Sequence, residues 1–286
     1  MISIAGIMAQ TPVGMKQLCA GPGRRPSIAP VRGAVAAVLA LAMPFAAAGQ
    51  NNSLNEANDP LTPKMAFQMH DYVQPVMSGR PDDGAHQFYL RHLVPHDTLG
   101  FDQIARMSLP LISNTWGPQG SWNGIGDLTV YDMAVAYLGK TKLGAGPLFV
   151  APTASAPALG SGKWQGGAQT VVSARHDWGL SALLSSYQQA FDGSLQTLTI
   201  QPLLFLDLAG GYYLRSTGIS TFNLGLNSVV PVGLGLGRVF ERPDGRVLNI
   251  FVEPQYSVLQ TGAGVPSFQV FAGVVLQFPI RGEARR

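Results

Sequence analysis

The chain has 286 residues, of which 46% are hydrophobic but only 12% charged, where a soluble globular domain carries roughly 25% charged residues. The apolar share excludes a disordered chain, and the 34 glycines follow no three-residue period, which excludes a collagen-like one. The formal charge of +3 belongs to the N-terminus: four of the nineteen basic residues, Lys16, Arg24, Arg25 and Arg32, precede residue 48 in a stretch without Asp or Glu, and the remainder, with fifteen basic and sixteen acidic residues, offers nucleic acid no attraction.

Residues 1–48 read as a signal peptide. Arg24, Arg25 and Arg32 precede the uncharged run Gly33 to Phe45, and Ala46-Ala47-Ala48-Gly49 supplies a small-residue cleavage site. The run is shorter than the about 20 apolar residues of a membrane-spanning helix. Cys19, the sole cysteine, lies in this leader, so the mature chain is expected to hold no disulfide, cysteine-zinc site or thiol nucleophile. Residues 49–64 are expected to form a periplasmic N-terminal segment, and the sequence leaves open whether Gln50 to Lys64 enters the lumen.

From residue 65 the hydropathy alternates with a period of two, the signature of strands with one apolar and one polar face. Leu248, Ile250, Val252, Tyr256 and Val258 share one parity, with Asn249, Glu253, Gln255 and Ser257 on the other. Leu198, Ile200, Leu204 and Leu206 alternate with Thr197, Thr199 and Gln201, and a row from Phe268 to Phe278 faces away from Gln269 and Gln277. In Val232 to Phe240 the glycines fall on a single parity, as expected where bulk would crowd an enclosed space. Twelve strands are predicted, at 65–75, 85–94, 102–112, 124–138, 142–152, 163–175, 178–190, 196–207, 211–219, 229–241, 246–259 and 267–278. Short connections at 96–100, 139–141, 176–177, 209–210 and 242–245 alternate with longer ones at 76–84, 113–123, 153–162, 220–228 and 260–266. An even number of strands of about ten residues, with short turns at one end and long loops at the other, is the pattern of an all-β, up-and-down, transmembrane barrel of the bacterial outer membrane. The barrel is expected at 65–278, followed by a C-terminal tail at 279–286.

Closure accounts for the missing charge, since the outward band must be apolar and no strand edge is left in lipid. Trp116, Trp122, Trp164 and Trp178 fall near strand ends, where aromatic girdles sit. A lipid-facing Arg near the midplane costs about 2–4 kcal/mol, so polar and charged residues in mid-strand are expected to line the lumen. The candidates are Tyr89, Arg91, Arg106, Asp127, Gln201, Arg215, Glu253 and Gln255. Asp71 and Asp132 have ambiguous parity and test the register.

Several short motifs occur in order along the mature chain: Asn58-Asp-Pro-Leu61, Leu109-Pro-Leu-Ile112, Gly124-Ile-Gly-Asp127, Gly146-Pro147 followed by Pro152-Thr-Ala154, Leu159-Gly-Ser-Gly-Lys-Trp164, Gln201-Pro202 and Gly237-Arg-Val-Phe240. In these the chain resembles the outer-membrane proteins of the MetA-pathway of phenol degradation family, known as transporters. The resemblance implies an outer-membrane β-barrel linked to uptake of hydrophobic or aromatic compounds, and no catalytic residue. The chain departs from outer-membrane barrels that finish on an aromatic residue, because Phe278 is followed by Pro279 to Arg286.

No motif argues for catalysis. Gly-Ser-Gly-Lys at 160–163 lacks the following Ser or Thr of a phosphate loop, the five histidines have no metal-ligand spacing, and the G-x-S-x-G elbow of serine hydrolases is absent. The expectation is therefore a channel or transporter for passive uptake of small hydrophobic or aromatic compounds, with no metal and no cofactor. Its partners would be outer-membrane lipids, the small-molecule permeant, and the export and barrel-assembly machinery. The alternatives are a structural or surface-binding barrel with a plugged lumen, and a lipid-active barrel enzyme.

Overall fold

The computed structural model describes residues 51–118 and 120–280. The leader expected at 1–48 and most of the expected tail lie outside the described residues. Fifteen strand segments follow a short helix, α1 (Asn51–Asn58). They are β1 (Met65–Met77), β2 (Gly84–His96), β3 (Gln103–Gly117), β4 (Gly120–Gly124), β5 (Leu128–Leu138), β6 (Thr141–Ala151), β7 (Gln165–His176) and β8 (Gly179–Ala190). There follow β9 (Gln196–Asp207), β10 (Tyr212–Ser216), β11 (Ser220–Asn223), β12 (Asn227–Gly233), β13 (Gly235–Glu241), β14 (Val247–Thr261) and β15 (Pro266–Phe278). Three strands are interrupted, as β4–β5, β10–β11 and β12–β13, so the segments form twelve barrel strands. Each pairs antiparallel with its chain neighbours, and β1 closes the ring on β15 from Met65 opposite Phe278 to Met77 opposite Pro266.

All twelve predicted strands are present, and the alternation sorts as the residues demand. Along β14, Asn249, Glu253, Gln255 and Ser257 are buried inside, while Tyr256 and Val258 are more than 60% exposed outside. Thr197, Thr199 and Gln201 of β9 likewise turn inward and Leu204 and Leu206 outward. Apolar side chains cover the outside, as in barrels that stand in lipid, while the interior mixes buried polar side chains with an apolar cluster that includes Leu54, Leu61, Leu148, Leu180 and Phe251.

One expectation is corrected. The long connections at 113–123 and 220–228 are largely strand: β3 and β4 pair from Ser113 opposite Gly124 to Gly117 opposite Gly120, and β11 and β12 from Thr221 opposite Val229 to Asn223 opposite Asn227. The hydropathy signal ends where the apolar band ends, but backbone pairing needs no apolar side chains and continues past it. Of the described connections only 152–164 is long. The segment before β1, whose course the sequence left open, enters the barrel in its described part: α1 and the residues after it lie inside, with Leu54 and Leu61 fully buried.

Asp71 and Asp132 settle the register on the outward parity, and each has a histidine partner there. His86 Nε2 lies 2.6 Å from Asp71 Oδ1, and His96 Nε2 lies 3.2 Å from Asp132 Oδ1. Pairing lowers the cost of a carboxylate on an apolar face.

Close strand approach requires two glycines. A Cβ on Gly167 would lie 1.8 Å from the carbonyl oxygen of Tyr187, and one on Gly146 1.8 Å from that of Asp132. Gly167→Val is expected to cost at least the ~1–3 kcal/mol of an overpacked interior and to reduce the compact, fast-migrating fraction on unheated detergent gels. Ala168→Val, one residue on and exposed outside, leaves that fraction unchanged.

Candidate functional site

The interior is organised around an ion pair between Arg215 of β10 and Glu253 of β14. Arg215 Nε donates to Glu253 Oε2 at 2.8 Å, and both side chains are buried. Where the ladder breaks after β10, the Thr217 amide donates to Glu253 Oε1 (2.7 Å) and the Thr217 hydroxyl to Oε2 (2.6 Å). Gln255 Nε2 gives Oε1 another donor at 2.9 Å. The hydrogen bonds continue around the wall from Gln269 to Gln255 and from Gln74 to Gln269. The single-parity glycines make room for this arrangement: a Cβ on Gly235 would lie 2.6 Å from that of Glu253, and one on Gly237 would lie 2.2 Å from the Tyr213 ring. The Arg215 guanidinium stacks on Phe251, 3.4 Å from the ring centre, with Phe271 and Phe205 farther out at 5.1 and 5.6 Å.

Arg91 of β2 and Arg106 of β3 are also buried in the interior. Arg91 Nη1 donates to His70 Nδ1 of β1, and the guanidinium lies over the Tyr89 ring at 4.6 Å. The Tyr89 hydroxyl donates to Gln87 Oε1. Arg106 Nη1 donates to the Tyr131 hydroxyl at 3.2 Å. These side chains border two spaces. The one nearer the termini holds about 670 Å³ of atom-free space including its opening, with His70, Tyr72, Arg91, Arg215 and the rings of Phe205, Phe251 and Phe271 in its wall. The other holds about 420 Å³ and is lined by polar side chains including Ser108, Thr129, Gln169, Ser186 and Thr199. Arg106, Leu184 and Gln201 border both. Gln201 is held by its Nε2 donating to the Thr217 carbonyl at 3.0 Å.

Residues 57–60 form part of the wall of the larger space. Leu54, Ala57 and Leu61 present an apolar side, and Pro60 ends the helix because the residue before a proline is pushed out of the helical region. Asp59 Oδ1 then accepts the Leu61 amide at 2.9 Å and the Ser173 hydroxyl at 2.9 Å. Lys142 Nζ reaches Asp59 Oδ2 at 2.8 Å and the Leu61 carbonyl at 2.9 Å, and Arg175 stands 3.6 Å from Asp59. On the other wall Asn249 Nδ2 donates to Asn58 Oδ1, and Gln277 Nε2 to the Ala57 carbonyl.

Asp127, proposed as a lumen residue, is buried at the opposite end and holds the 152–164 loop. It accepts the Ala154 amide at 3.1 Å, the Ser161 amide at 2.6 Å and the Ser161 hydroxyl at 2.9 Å. Lys163 ties the same loop to the next connection by an ion pair with Asp192 (2.6 Å), and this contact, aided by Ser194, holds the Asp192 carboxyl well below the usual carboxylate range. Trp116 and Trp122 are exposed on the β3–β4 hairpin, Trp164 at the loop end, and Trp178 at the turn between β7 and β8, stacked on His176. No group of three or more His, Cys, Asp or Glu side chains suited to a metal occurs among the described residues.

The structure thus brings Arg91, Arg106, Gln201 and Arg215 to one cavity wall and joins Glu253 and Gln255 to them through hydrogen bonds. Asp127 stands apart. Sequence reasoning missed His70, although it lies two residues from Tyr72 on the polar parity of β1, and it missed Asp59, whose partners are far away in sequence. Glu253→Gln, which preserves shape but leaves Arg215 buried without its carboxylate, is expected to destabilise the barrel by about 3–5 kcal/mol in denaturant unfolding in detergent. Asp127→Ala removes three acceptor contacts and frees the loop, so trypsin cleavage after Lys163 accelerates while the barrel stays folded.

No family model and no curated protein matches the chain. Among solved structures it is similar to the COG4313 outer membrane channel from Pseudomonas putida F1, with a TM-score of 0.58 at 14% identity, covering 77% of this chain and 99% of that one. A weaker likeness is to the KdgM porin, with a TM-score of 0.42 at 13% identity, covering 75% of this chain and 99% of that one. The first likeness establishes the fold that this chain shares with an outer membrane channel.

Proposed function

We propose that this chain is an outer-membrane channel for passive uptake of small hydrophobic or aromatic compounds, of the MetA-pathway of phenol degradation kind, with its termini in the periplasm. The observation that carries the reading is the larger interior space, where the rings of Phe205, Phe251 and Phe271 and the side chains of Leu93, Leu184, Leu203 and Val275 form an apolar part of the wall beside Arg91, Arg106 and His70. The apolar outer face meets lipid, with Trp116, Trp122 and Trp164 at one interface and Trp178 at the other. The reading has no chemical step: a solute moves down its gradient.

A second reading, a structural or surface-binding barrel with a plugged lumen, is favoured by one observation. The 51–61 segment reaches both walls at the terminal end, bonded to β6 and β7 through Asp59 and to β14 and β15 through Asn58 and Ala57. Planar-bilayer conductance separates the two. Asp59→Asn breaks the ion pairs that hold the segment, so the channel reading expects stepwise conductance that opens several times more often than in the unaltered protein. A variant that is folded, has released the segment to protease and still does not conduct would favour the plugged barrel.

A further inference from the structure

Among the described residues, Arg91 and Arg106 are buried cations without a counter-ion. Among the described residues neither forms an ion pair, and the acids inside the barrel are committed elsewhere: Glu253 to Arg215, Thr217 and Gln255; Asp59 to Lys142 and Arg175; Asp127 to the 152–164 loop. The two guanidiniums and that of Arg215 all act electrostatically on His70, and Arg91 and Arg106 act on each other. The Tyr72 hydroxyl beside Arg91 adds no charge. Two like charges held together in a low-dielectric interior repel each other, and an anion between them removes that cost.

The donors left over are of one kind. Arg91 Nε and Nη2, Arg106 Nε and His70 Nε2 are buried without a well-aligned hydrogen bond, although the Tyr72 hydroxyl lies beside Arg91 as a neutral hydrogen-bonding neighbour. Nε and Nη2 form the side edge of the guanidinium, whose two parallel N–H groups match the two oxygens of a carboxylate. Because His70 Nδ1 accepts from Arg91, the neutral ring carries its proton on Nε2, a further donor. All three residues border the larger space together with Phe205, Phe251 and Leu203. The same wall also holds the unpaired acceptors Gln68 Oε1 and Gln277 Oε1, and a ligand that meets the unpaired donors carries negative charge at one end and a flat or apolar body at the other.

We propose that this space binds small organic anions, with a carboxylate bridging Arg91 and Arg106 and an apolar body against Phe205, Phe251 and Leu203. The proposal rests on the channel reading for its physiological meaning and narrows the solute to the acid rather than the neutral compound. Phenylalanine rings take the body without specifying it, so aromatic and short aliphatic acids both fit, and the guanidinium edge confers the preference for charge.

Isothermal titration of the full mature protein in detergent tests it, with benzoate, its uncharged isostere benzamide, and inorganic phosphate as probes. Benzoate is expected to bind saturably and at least about tenfold more tightly than benzamide, the least that one charge-assisted hydrogen bond supplies. Arg91→Gln and Arg106→Gln each lower benzoate affinity about tenfold or more and leave benzamide affinity unchanged, and Arg91→Lys recovers only part of the loss because it lacks the two-pronged edge. Equal affinity for benzoate and benzamide in the unaltered protein overturns the proposal even if neither variant folds. Phosphate displacing benzoate with equal affinity also overturns it, because the site would then recognise charge and not the apolar body. Binding in detergent is independent of conduction. Tight benzoate binding by a barrel that does not conduct in the bilayer discards the channel and keeps the site, whereas a conducting barrel with no benzoate preference discards the site and keeps the channel.

Discussion

The ladder between β1 and β15 is the constraint on which the rest of the structure depends. Eleven residue pairs join the first strand to the last, and with them the sheet has no edge whose amides and carbonyls would otherwise need water. Once the backbone is satisfied within the wall, side chains can sort by face alone. The outside becomes apolar, and the inside collects Gln, Thr, Ser and Arg at positions where a soluble sandwich would place its core. Twelve strands also set the width: the lumen is narrow enough for a single short segment, residues 57–61, to be bonded to β6 and β7 on one side and to β14 and β15 on the other.

Charge in that lumen is handled in two different ways. Glu253 is surrounded by donors, two of them from Thr217 where the strand is interrupted, so the break between β10 and β11 gives the carboxylate an amide that a continuous ladder would have used. A buried ion pair satisfied to this degree costs the fold little and is costly to break. Arg91 and Arg106 have aromatic rings and a histidine for company but no acid. Among the described residues the contrast lies within one wall, where one cation is paired with an acid and two are not, and it gives the larger space a positive character that the overall composition does not show.

Each end of the barrel is fastened by one buried aspartate. At the terminal end Asp59 holds the entering segment against Lys142, Arg175 and Ser173. At the loop end Asp127 holds the 152–164 loop through Ser161 and Ala154. Both carboxylates accept from groups distant in sequence, so each converts a flexible connection into part of the wall. Two of the short motifs, Gly124-Ile-Gly-Asp127 and Leu159-Gly-Ser-Gly-Lys-Trp164, acquire a physical meaning here, because the aspartate of the first binds the serine of the second. Gly124, Gly126 and Gly160 leave space for the loop to lie close.

The sequence by itself determined the strands, their number and which face of each is polar, because a two-residue period is a local property that survives without knowledge of any neighbour. It also marked the mid-strand arginines as inward-facing, since an outward Arg would carry a high energetic cost near the midplane. The hairpin tips were not legible: β3–β4 and β11–β12 continue on backbone hydrogen bonds after the apolar alternation has ended. The inward course of 51–61, the role of Asp127 and the selective pairing of Arg215 with Glu253 were decided only by tertiary structure. Each depends on which residues the closed ring brings within 3 Å of one another, and a pairing between positions as far apart as Asp59 and Ser173 leaves no local pattern in the chain.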